Sequence, residues 1–74
     1  MTLDKPHRKL LRKLLQKNEW SREEFESLCA SSNLLPDAAI ETINDWSYEQ
    51  VDAPVLEDDE NIYVESGLDL EVPK

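Results

Sequence analysis

Four carboxylates recur at intervals of four, Asp37, Glu41, Asp45 and Glu49, and a second acidic run follows at Glu57, Asp58, Asp59 and Glu60. On a helix the first set lies along one side, because residues four apart stack on the same face. Surfaces rich in carboxylate oxygen take hard divalent cations such as Ca2+ or Mg2+, calcium with six or more oxygens at once, or they take a basic protein surface. The spacing alone chooses neither. No loop carries Asp, Asx, Gly and a closing Glu at EF-hand intervals. In an extended strand Glu57 and Asp59 face one side and Asp58 and Glu60 the other, so gathering all four at one point requires a turn. Soft and transition metals are disfavoured, since Cys29 is the lone cysteine and His7 the lone histidine.

Acid-base catalysis by paired carboxylates needs a pocket and one shielded acid, and these acids follow an exposed pattern on a chain of only 74 residues. A nucleophilic Cys29 would need a neighbouring base or an electropositive setting. Cys29 instead continues the apolar face begun by Phe25 and Leu28, which makes it an expected core residue. No catalytic residue is expected.

Charge is segregated along the chain. Every Lys and Arg except Lys74 precedes residue 23, whereas residues 23 to 73 carry fifteen Asp or Glu, for a net charge of -9. Phosphate backbones are bound mainly by Lys and Arg displacing counterions, so this balance works against nonspecific nucleic-acid binding. The length allows one domain, burying a little over ~60% of its unfolded surface. One cysteine excludes an intramolecular disulfide and a Cys-rich zinc site, and fits a reducing compartment. The longest apolar run is too short to cross a bilayer, and the N-terminus lacks the apolar stretch of a secretory signal. A cytoplasmic protein without a transmembrane segment, monomeric as an isolated domain, is expected.

The elements that would position the acids are three helices followed by a short hairpin or extended arm, a mainly α (α+β) fold. The first helix runs from about Pro6 to Lys17, with Asp4 or Lys5 as cap, an apolar stripe of Leu10, Leu11, Leu14 and Leu15, and basic flanks. A basic amphipathic helix also suits an anionic membrane surface, but a core-facing role is the norm for this pattern. The second opens at Ser21, which with Glu24 has the spacing of a capping box, and Trp20 and Phe25 occupy the positions of a hydrophobic staple. Asn33 can take a left-handed cap. Pro36 opens a third helix to about Tyr48 or Glu49, burying Ala39, Ile40, Ile43 and Trp46. After Pro54, Val55-Leu56, an acidic turn and Ile62-Tyr63-Val64 read as a hairpin. Leu68 to Lys74 reads as a third short strand or a loose tail over 66 to 74. The expected core is Leu10, Leu11, Leu14, Phe25, Leu28, Ile40, Ile43 and Trp46, edged by Trp20 and covered by Val55, Ile62 or Val64.

Three helices and a hairpin are winged-helix-like in order, in which the third helix would read DNA. Here that helix offers Asp37, Glu41, Asp45 and Glu49, the wrong sign for phosphates. The basic flank of the first helix, with Arg8, Lys9 and Arg12, is an alternative neighbour for Asp45, Glu49 or the acids at 57 to 60.

Trp20-Ser21, Phe25, Leu35-Pro36-Asp37, Ala39-Ile40-Glu41, Ile43-Asn44-Asp45-Trp46, Asp52, Pro54 and Glu57-Asp58-Asp59 resemble the TerB-C domain, the module that follows TerB in tellurite-resistance-type bacterial proteins. The likeness spans roughly residues 7 to 65. It implies a single TerB-C-like domain over 1-74, a stress-response setting, TerB-like or other domains of a larger protein as partners, and no enzymatic activity. It also implies metal chelation by acidic residues, which by position are Asp37, Glu41, Asp45, Asp52, Glu57, Asp58 and Asp59. No TerB-like domain lies within these 74 residues, so a site shared with one would take its other half from outside them.

The leading expectation is a non-enzymatic acidic interaction module contacting a sister domain or a basic protein surface, with Glu49 and Glu60 in the interaction surface. The alternative is a divalent-cation-binding domain using the clustered carboxylates.

Overall fold

The strongest local signal in the chain forms as the sequence requires. Ser21 Oγ accepts from the Glu24 amide at 3.1 Å, and the Ser21 amide donates to the Glu24 carboxylate at 3.0 Å, which satisfies two of the N-H groups orphaned at a helix start. In the computed structural model, which describes residues 2–65, 67–68 and 70–72, this box opens the second of three helices. The elements are α1 (Lys5–Leu14), β1 (Glu19–Trp20), α2 (Arg22–Ser31), α3 (Pro36–Val51), β2 (Leu56–Asp58) and β3 (Ile62–Val64).

The order differs from three helices followed by a hairpin. A strand, β1, stands between α1 and α2, and the strands form one antiparallel sheet in the order β1-β3-β2. Glu19 pairs with Tyr63 and Trp20 with Ile62 on one side of β3, and Leu56, Glu57 and Asp58 pair with Val64, Tyr63 and Ile62 on the other. Two residues are too few for a period-two pattern to show in the sequence. Their strand conformation comes from pairing with β3, about 43 residues further on, so it is a tertiary effect.

Each helix ends for an identifiable reason. α1 stops at Leu14 rather than Lys17: the Gln16 and Lys17 amides bond back to the Lys13 and Leu14 carbonyls in a tight turn, and Trp20 Nε1 donates to the Leu14 carbonyl at 3.0 Å. Leu15 falls off the apolar stripe as a result and is 40% exposed. Asn33 takes the left-handed conformation after α2. α3 runs one turn beyond Tyr48, to Val51, and Asp52 closes it at φ 62°, ψ 28° with its amide on the Tyr48 carbonyl. A short polar side chain tolerates that conformation better than a β-branched one.

The core collects Leu10, Leu11 and Leu14 of α1, Phe25 and Cys29 of α2, Ala39, Ile40, Ile43 and Trp46 of α3, and Trp20, Leu56, Ile62 and Val64 of the sheet, with Val55 before β2. Leu28 is only partly buried, and Leu3, ahead of α1, is fully in the core. Leu3 is a solitary apolar residue before the helix, so periodicity gives no sign of it. Among the described residues of the last segment there is no third strand of the kind expected after Gly67. Leu68, Leu70 and Val72 instead pack partly buried against the core, and Ser66, Asp69, Pro73 and Lys74 lie outside the described residues.

A pair of hydrogen bonds from Asn44 ties α3 to the sheet. The Glu65 amide bonds the Val55 carbonyl at 2.8 Å, which in this antiparallel register turns the N-H and C=O of Leu56 away from β3. The Asn44 carboxamide takes both: Nδ2 donates to the Leu56 carbonyl and Oδ1 accepts from the Leu56 amide, each at 2.9 Å. The outer edge of β2 is thereby closed by a side chain of α3. Asn44→Ala strands both groups of a buried residue and is expected to cost ~1–3 kcal/mol in urea denaturation. A loss below ~0.5 kcal/mol would show that the edge closes without the carboxamide.

Candidate functional site

The seven acids proposed as ligands are placed by three different parts of the fold. Asp37, Glu41 and Asp45 lie on the outer face of α3, Asp52 caps its C-terminus, Glu57 and Asp58 are in β2, and Asp59 starts the turn to β3. All are exposed. Among the described residues no group of three or more His, Cys, Asp or Glu side chains is gathered closely enough to hold a metal ion. The helix spreads its acids along its length, and the alternation of β2 sends Glu57 and Asp58 to opposite faces of the sheet.

Those two faces have different chemistry. On the helix side Asp58 meets the guanidinium of Arg22, from the first turn of α2, and the same group donates to the Asp59 carbonyl at 2.8 Å. The cation at the acidic turn is therefore Arg22. Among the described residues none of Arg8, Lys9 and Arg12 pairs with Asp45 or with the acids at 57 to 60. The expected neighbour was on α1, but the pairing of β1 with β3 brings the start of α2, not α1, over the turn. The other face of the sheet carries a row of three side chains across the strands, Glu19, Tyr63 and Glu57. Neighbouring negative charge pushes the Tyr63 hydroxyl above its ordinary pKa, Glu19 most strongly, with burial, Asp59, Glu60 and Glu57 adding to it.

This outer row went unnoticed in the sequence. Glu19 is more than forty positions from Tyr63 and only the sheet register joins them. Asn61, whose side chain donates to the Glu19 carboxylate, helps hold it there. A groove of about 490 Å3 opens at the end of the same face. Pro54, Val55, Val64 and Leu68 supply its apolar lining, and Glu57, Tyr63 and Glu65 its polar rim.

α3 presents a second acidic surface. Asp37, Glu41, Asp45 and Glu49 are exposed along it, as is Tyr48, while Leu35 at its N-cap is 75% exposed. Cys29 is fully buried, and burial, reinforced by Glu26, pushes its thiol up to about 11. A thiol so raised is not a nucleophile near neutral pH. No helix among the described residues is long and apolar enough to cross a membrane.

Fold and surface together describe a small α+β module with a buried apolar core and acids on its outside. The TerB-C domain model matches residues 1–72. The chain belongs to the TerB-C domain family, whose members are modules associated with tellurite resistance. The matched stretch is wider than residues 7 to 65 and takes in Leu3, Leu70 and Val72, which the structure packs into or against the core. No curated protein and no solved structure matches the chain significantly.

Glu24 joins the N-terminal basic segment to the acidic body. The Ser21 amide first, then Lys17, whose ammonium donates to it at 3.0 Å, hold its carboxyl below the ordinary glutamate range. A depressed carboxyl contributes stability that is present above the unfolded-state pKa and lost as pH falls through the lower folded value. The urea midpoint should decline on acidification, and Glu24→Gln should flatten the part of that decline lying below the ordinary glutamate pKa. Parallel profiles for the two proteins would show that the Lys17 and Ser21 contacts do not bias this proton.

Proposed function

We infer that this domain is a non-enzymatic docking module of a bacterial stress-response protein of the tellurite-resistance type, acting in the cytoplasm and binding a basic protein surface through its acids. The observation that carries the reading is the disposition of the candidate carboxylates. All seven are exposed, and among the described residues only the Asp58 carboxylate is paired with a cationic side chain. Packing and capping account for the interior, yet they use few of these acids. Charge of this kind steers association with an oppositely charged surface and sets its salt dependence.

The order α1-β1-α2-α3-β2-β3 keeps a hairpin after α3, but a nucleic-acid role does not follow from it. The outer face of α3 carries Asp37, Glu41, Asp45 and Glu49, and residues 23 to 73 contain no Lys or Arg to replace the counterions of a phosphate backbone. A basic neighbouring domain of the same protein, TerB-like or otherwise, has the right sign. The divalent-cation reading needs oxygens converging on one point, and the carboxylates of this chain are dispersed over α3, its cap and β2. It would hold only if a second domain completed the coordination.

NMR titration of the 74-residue chain at constant ionic strength separates the two. A capped octalysine peptide is expected to give saturable shifts on the acidic surfaces that weaken as salt rises, while calcium and magnesium give small, diffuse, non-saturating ones. Exposed ion pairs are worth ~0–1 kcal/mol each, so Glu41→Gln with Asp45→Asn is expected to weaken the peptide by roughly two- to fivefold per carboxylate removed from the contact. Saturable, cation-specific shifts confined to residues 45 to 60, with none from the peptide, would replace the docking reading by a metal site.

A further inference from the structure

The groove beside Tyr63 has a composition that the acidic surface of α3 lacks. Its volume, about 490 Å3, is that of a small-ligand cleft. Its apolar surface is offered by the exposed Pro54 and the partly buried Leu68, with Val55 and Val64 beneath in the buried core. Tyr63 stands at its mouth, 37% exposed, with Glu19 and Glu57 as its strand partners on either side. An aromatic ring attracts a cation at its face, and carboxylates flanking the ring add to that attraction.

The fold already meets this preference once and leaves it open here. Lys17 Nζ lies 4.2 Å from the centroid of the Trp20 ring on β1, whereas among the described residues no cation lies over Tyr63. The chain has little of its own to offer. Arg22 is engaged on the opposite face with Asp58 and the Asp59 carbonyl, and none of residues 23 to 73 is basic. A complement to an apolar floor beside an acid-flanked ring combines aliphatic and cationic groups, and among the described residues the chain itself places no cation there. A bare divalent ion would leave the floor unused, and a polyphosphate has the wrong charge.

We propose that the groove receives a linear segment of a partner protein in which an aliphatic side chain lies against Pro54 and Leu68 and an adjacent arginine stacks over Tyr63 between Glu19 and Glu57. This rests on the docking role above and names its partner's chemistry. Arginine fits better than lysine because its planar guanidinium can stack on the ring and reach a carboxylate at the same time.

The test is a titration of the isotope-labelled 74-residue chain with a capped hexapeptide of alternating arginine and leucine, and with two analogues, one with citrulline for arginine and one with serine for leucine. The expected result is saturable movement of the amides of residues 55–57, 63–65 and 68, with affinity lost in both analogues. Tyr63→Thr keeps a strand-favouring residue without the ring and should weaken the parent peptide by roughly two- to fivefold. The analogues act on the unaltered chain, so the test holds even if that variant folds poorly. Binding that survives the leucine-to-serine change, with shifts along residues 37–49, would overturn the groove while leaving a docking role on α3. Absence of saturable binding by any peptide, octalysine included, would remove both readings.

Discussion

The inner face of α3 is the constraint on which the remaining structure depends. α1, α2 and β2 all pack on this one helix, and its Ala39, Ile40, Ile43 and Trp46 are buried among them. A chain of this size hides only about 60% of its unfolded surface, so the central helix cannot spare apolar positions for anything else. Full burial of side chains such as Ile43 and Trp46 is worth ~1.5–3 kcal/mol each. The like charges spaced four apart on the outer face cost ~0.2–0.5 kcal/mol per pair. Packing wins by a wide margin, and the helix persists despite its acids.

The Ile43-Asn44-Asp45-Trp46 run shows how one short stretch divides its work. Ile43 and Trp46 turn into the core, Asn44 reaches across to close the outer edge of β2, and Asp45 is left in solvent. Nearby Ser47 is buried and donates to the Ala53 carbonyl at 2.6 Å, fastening the chain after the left-handed turn at Asp52. Most of what makes this region distinctive is therefore architecture. Asn44 and Ser47 read as unremarkable polar residues in a helix, because a side chain that completes a strand edge or a turn carries no periodic signature.

Local rules made much of the fold legible. The capping box at Ser21, proline at the start of α1 and α3, the left-handed Asn33 and the buried faces of the helices all depend on residues within about one helical turn. What was not legible depends on the register of β3: the strand at Glu19–Trp20, the early end of α1, and the meeting of Arg22 with Asp58. The same holds for the site. The acids of α3 are visible as a stripe from spacing alone, whereas the Glu19, Tyr63 and Glu57 row exists only after three strands align. Cys29 lies between these cases, since its helical spacing from Phe25 placed it in the core and its burial then removes it from nucleophilic chemistry.

Segregated charge in the sequence becomes something subtler in three dimensions. A simple dipole of basic helix against acidic body would neutralise itself, and the fold does so only in part. Lys17 joins Glu24, and Arg22 joins Asp58; both bridges are made by residues around the capping box, where they reinforce the start of α2 and its contact with the turn. Asp37 is favoured by the N-terminal end of the α3 dipole, but Glu41 and Asp45 are beyond the first turn and outside that compensation. On the sheet, Glu19 and Glu57 crowd the Tyr63 hydroxyl instead of a cation. These carboxylates add repulsion that the packing on α3 outweighs but does not itself require. Their separation from the core means that a partner can be recognised there without disturbing the packing on α3.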